Sequence, residues 1–97
     1  MALADNLKTA RYWFAVGMVA EHCGKINQPE ISVSPEDIFT ASLKESGLSR
    51  SELIQVIDDP KQKRIIVKKS EELLSDVRYG YLSCADVILG FSASLAK

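Results

Sequence analysis

The residues of this chain best suited to chemistry are one histidine, two cysteines and an aspartate in apolar surroundings. Glu21, His22 and Cys23 are consecutive. On a helix, neighbours in sequence fan apart by about 100°, so these three cannot converge on one ion. Nothing else has the spacing of zinc ligands. His22 reads instead as a helix-end residue near the C-terminal carbonyls. A thiol nucleophile would pair Cys23 or Cys84 with His22 and need donors for an oxyanion. Cys84 lies among Leu82, Ala85 and Ile88 with no glycine-rich turn, and reads as a small apolar packing residue. Asp86 interrupts an apolar helix. If buried, it would need a partner such as Arg11 or Arg78; a place on the polar face is the simpler expectation. Gly17, Gly24, Gly47, Gly80 and Gly90 are scattered and form no phosphate loop or dinucleotide turn. The expectation is a protein with no catalytic residue, cofactor or metal.

Binding chemistry offers two candidates. The first is nucleic acid. Two short helices meeting at Gly47-Leu48-Ser49 have the outline of a helix-turn-helix. Ser49, Arg50, Ser51 and Gln55 would then lie at the start and outer face of its recognition helix. Lys61, Lys63 and Arg64, followed by Lys68 and Lys69, would add phosphate contacts. Against this, Leu43 stands where the motif usually has a small residue four positions before the turn glycine. The second helix carries one cation, Arg50, beside Glu52, Asp58 and Asp59. The basic run also has a plainer role as a solvated face, with Lys68 and Glu72 spaced for an i,i+4 pair.

The second candidate is a protein partner. Residues 1–60 hold five basic and nine acidic side chains, residues 61–97 seven and four. Glu30, Glu36, Asp37, Glu45, Asp58 and Asp59 could form an acidic face that opposes a basic partner. A non-enzymatic interaction module (a regulator, an anti-activator, an adaptor or a toxin-neutralising protein) is therefore the leading expectation. A DNA-binding regulator is the alternative. Small residues four apart, Gly80 with Cys84 and Gly90 with Ser94, suit close internal packing, against Gly17 for instance, or a homodimer seam.

The elements that must position these residues are helical. Leu7, Ala10, Phe14 and Met18 mark a first helix from about Asp5 to Cys23, with Gly24 as its stop. Trp13, Val16, Ala20 and Cys23 add a second stripe, so this helix belongs in the middle of the fold. Residues 25–33 read as loop with a short extended piece. Ser34, Pro35 and Asp37 form a capping box opening, and Val33 with Ile38 a hydrophobic staple. That helix should end at Ser46, with Gly47 left-handed and Leu48 folded back on Leu43. Ser49 with Glu52, and Leu48 with Leu53, repeat the pattern for a helix over about 50–58. Asp59 and Pro60 start another. Ile66, Leu73, Val77, Tyr81, Cys84, Ile88, Phe91 and Leu95 continue the helical spacing, with a break at Gly80. The β-branched run Ile65-Ile66-Val67 raises a rival, residues 64–69 as a strand beside residues 30–33, ranked behind helix.

The fold expected is all-α, one compact domain over residues 1–97 of four to five helices, with that minor two-stranded element as an option. Ninety-seven residues with 46% apolar and 26% charged side chains can bury a core, roughly 60–70% of the unfolded surface, without staples. The net charge of −1 gives no overall attraction for nucleic acid or anionic lipid. The apolar runs at 12–20 and 81–96 are too short or too interrupted to span a bilayer, so no membrane contact is expected. The first residues lack the pattern of a secretory signal. A cytoplasmic protein with both thiols reduced is the expectation.

Overall fold

Two serine-led boundaries organise the middle of the chain. In the computed structural model, which describes residues 2–27 and 33–96 (side chains over 5–24 and 33–96), Ser34 and Asp37 close a reciprocal box. The Asp37 amide donates to Ser34 Oγ at 3.1 Å, and the Ser34 amide to Asp37 Oδ2 at 3.1 Å. Ser49 and Glu52 repeat it at 3.1 and 3.0 Å. Each box satisfies amides that a helix start leaves without partners, worth about 1 kcal/mol. Asp59 caps the next helix, its Oδ1 accepting from the Lys61 amide at 2.9 Å, and Pro60 takes the first helical position.

Five helices result among the described residues: α1 (Ala2–Asn27), α2 (Pro35–Ser46), α3 (Arg50–Asp58), α4 (Pro60–Arg78) and α5 (Cys84–Ala96). Gly47 ends α2 at φ 73°, and Gly80 follows α4 at φ 81°. Both conformations favour glycine because a Cβ would crowd the backbone. The radius of gyration, 12.9 Å, is close to the roughly 12.5 Å of a compact chain this long.

α1 is the axis, packed along α2, α4 and α5. Its C-terminal half carries one core, where Val19, Ala20 and Cys23 meet Ile38, Ile88 and Phe91. Its N-terminal half carries a second, where Ala10 meets Leu48, Leu53 and Val56 of the α2–α3 hairpin. Phe14 packs on both. A Cβ added to Gly17 would come within 2.7 Å of the Ile38 side chain, so this glycine sets how closely α2 approaches α1. The partner of Gly17 is thus α2, not the C-terminal helix.

Three expectations are corrected. Residues 64–69 are helix, and no strand occurs among the described residues; residues 30–32 of the proposed pair lie outside them. The reason is period: Ile66 and Ser70 are buried and Leu73 and Val77 partly so, a 4-3-4 spacing, while Ile65 and Val67 face outward. α1 does not stop at Gly24, which is buried, lacks a positive φ and is followed by another turn. Packing outweighs the roughly 1 kcal/mol that a mid-helix glycine costs.

The third correction concerns the thiols. Cys23 and Cys84, 61 positions apart, are joined as a disulfide with their Cα atoms 5.4 Å apart, and the described residues contain no free cysteine. The bond ties the last turns of α1 to the first residue of α5. No helix among the described residues is long and apolar enough to cross a membrane.

Candidate functional site: the cleft between α4 and α5

The disulfide removes both sulfurs from consideration as nucleophiles, and His22 beside it is exposed. Among the described residues, no three His, Cys, Asp or Glu side chains come together as a metal set. Asp86 is exposed in the first turn of α5, where its backbone amide donates to Ser83 Oγ at 3.0 Å. That placement matches the polar-face expectation and needs no buried arginine.

The acidic residues do not form one free face. Asp37 serves the start of α2, and Asp59 the start of α4. Glu45 accepts from the buried Ser94 hydroxyl at 3.2 Å, and beside it Lys44 Nζ donates to the Leu95 carbonyl at 2.7 Å; the two bonds dock α5 on α2. Glu36 and Asp58 are exposed, and Glu30 lies outside the described residues.

The α2–α3 hairpin has its apolar side on α1 and its outer side in water. Ser49, Arg50, Ser51 and Gln55 are exposed, as are Lys61, Lys63 and Arg64 on α4. Two of them are already engaged. Ser49 is locked in its box with Glu52, whose carboxyl those hydrogen bonds from the Ser49 backbone and side chain hold below its usual value. The Arg50 guanidinium lies 4.8 Å from the Phe39 ring centroid, a cation–π contact. In the basic run the observed ion pair is Lys69–Glu72 at 3.8 Å rather than Lys68–Glu72, and Lys69 also sits 5.9 Å over the Tyr12 ring.

The surface least visible in the sequence adjoins this basic run through Tyr12, which lines it and carries Lys69 over its ring. α4 and α5 both pack along α1 but barely touch each other. Between them an apolar cleft of about 200 Å³ remains. Trp13, Val16 and Val19 of α1 contribute to it, with Leu73 of α4 and Val87 and Gly90 of α5. Tyr12, Leu82 and Asp86 complete the lining. A Cβ on Gly90 would meet nothing within 4 Å, so this position is open space rather than packing. Outside the cleft, Tyr81 is 83% exposed, Tyr79 76% and Leu89 67%. Tyr81 and Leu89 are the chain neighbours of the lining residues Leu82 and Gly90.

No family model, characterised protein or solved structure matches this chain.

Helical spacing identified the apolar residues of this region but could not show which of them lack a neighbour. The signal that was present is Leu89, followed by Gly90 and set one turn after Asp86, an apolar residue on the helix's polar side.

Proposed function

We propose that this protein is a non-enzymatic helical module that acts by binding another protein, and that the cleft between α4 and α5 is its binding surface. The observation behind this is that two helices lie on a common third helix with an unfilled apolar gap between them. Completed bundles close such gaps, because exposed apolar area costs about 25 cal/mol per Å². The acidic face expected from the sequence contributes less, since Asp37, Glu45 and Asp59 have internal duties. A role as regulator, adaptor or toxin-neutralising partner fits such a module.

The DNA-binding alternative draws on the exposed Arg50 and Gln55 next to Lys61, Lys63 and Arg64. It is the weaker reading, because Arg50 is stacked on Phe39 and the exposed Glu52 and Asp58 would face phosphates. The Cys23–Cys84 bond weighs against a cytoplasmic setting, since cytosolic thiols are mostly kept reduced.

The test is affinity purification from native cells of the unaltered protein beside Gly90→Leu, which fills the cleft. A stoichiometric protein that accompanies the first and is missing from the second is expected. Recovery of duplex DNA instead, with an affinity whose salt slope flattens in Arg50→Ala/Lys61→Ala, would replace this reading with the alternative.

A further inference from the structure

The cleft has a single charged lining residue. Asp86 sits on the α5 side, and among the described residues no side chain pairs with its carboxylate. Lys69, which also borders Tyr12, is held by Glu72 and by the Tyr12 ring. An apolar trough with one unanswered carboxylate asks for a ligand that is apolar with one adjacent positive charge.

Size selects the kind of ligand. Pockets for whole small molecules run to about 300–1,000 Å³, whereas this one is about 200 Å³ and open. It suits one or two large side chains. Its walls are two helices laid on a third, and the element that fits such a furrow is another helix. A second copy of this chain fits poorly. A two-fold contact through this patch would bring two Asp86 carboxylates into one apolar seam.

We infer that the cleft receives an amphipathic helix of another protein, which inserts large apolar side chains between α4 and α5 and places a Lys or Arg against Asp86. This rests on the interaction reading above and adds the chemistry of the partner.

The experiment is a selection of displayed helical peptides, free of tryptophan, with a fixed apolar stripe and randomised flanking positions. The bait is the full chain with its disulfide intact. Peptide binding is then measured by the fluorescence of Trp13, the sole tryptophan, which lines the cleft. The selected peptides should carry Lys or Arg at one constant offset from the stripe and shift Trp13 emission to the blue. Their binding should weaken roughly fivefold in Asp86→Asn, the upper range for a rim ion pair, and vanish in Gly90→Leu. Both variants are checked for native circular dichroism, and the Trp13 shift of the unaltered protein needs no variant. Peptides that depend on the cleft but show no basic preference, or bind Asp86→Asn equally, overturn the inference and leave the interaction reading standing. Peptides indifferent to Gly90→Leu that leave Trp13 unmoved, or concentration-dependent dimerisation that buries Trp13, overturn the cleft as a site for a foreign helix.

Discussion

Reducing the Cys23–Cys84 bond should cost this chain a large part of its stability. The bond closes a loop of 61 sequence steps. In the chain-entropy description, opening such a loop returns about 14 cal/mol/K to the unfolded ensemble, or about 4 kcal/mol at 25 °C. The whole folding free energy of a domain this size is about 5–15 kcal/mol. The reduced protein should therefore retain about 1–11 kcal/mol. Urea denaturation followed by circular dichroism, with and without a strong thiol reductant, measures this directly. For a urea slope of about 1–3 kcal/mol/M, the midpoint should fall by about 1.5–4 M. Intact mass under non-reducing conditions should be two hydrogens below the reduced value. Coincident unfolding curves, or two titratable thiols in the oxidised native protein, would refute the stapled architecture. They would also return Cys23 and Cys84 to the reduced state expected of a cytoplasmic chain.

Other substitutions separate packing from open surface. Gly17→Ala should destabilise by about 1–3 kcal/mol, because its methyl group meets Ile38 at 2.7 Å, whereas Gly90→Ala should stabilise by about 0.5–1 kcal/mol; chemical denaturation of both reads the sign. Ser49→Ala should cost about 1 kcal/mol through loss of the α3 cap, seen as a lower thermal midpoint. The Glu52 carboxyl is held below its unfolded value of 4.5, so its charged form favours the fold. Its contribution is fully present above pH 4.5 and disappears as pH falls through the lower folded value. The stability gap between the unaltered protein and Glu52→Gln should therefore close on acidification below 4.5, and a gap that widens there would contradict the assignment.

Most of the helix boundaries were legible because they are written in short-range chemistry. Ser34 with Asp37, Ser49 with Glu52, and Asp59 with Pro60 each act within three or four residues, as does Gly47 at its positive φ. What depends on distant parts of the chain was not legible. Gly24 looked like a stop because local propensity says so, but it is buried and its helix runs on to Asn27. Gly17 gave no sign that Ile38 would press against it. The β-branched run at 65–67 allowed a strand until the packing of Ile66 and Ser70 was seen to follow helical period. The cleft was hidden for the same reason. Periodicity tells which side chains are apolar, and only the arrangement of α4 and α5 on α1 tells which of them remain uncovered.

The covalent link between α1 and α5 encloses α2, α3 and α4 in one ring of chain. A protease that cuts once at the α2–α3 corner, where Gly47 and Ser49 are exposed and Leu48 is buried, or in the Tyr79–Leu82 connection, opens that ring without releasing a fragment. The severed pieces travel together on a non-reducing gel and part only when the sulfurs are reduced. A nick in the α2–α3 corner would thus leave α1, α4 and α5, the three helices of the proposed binding surface, on one molecule.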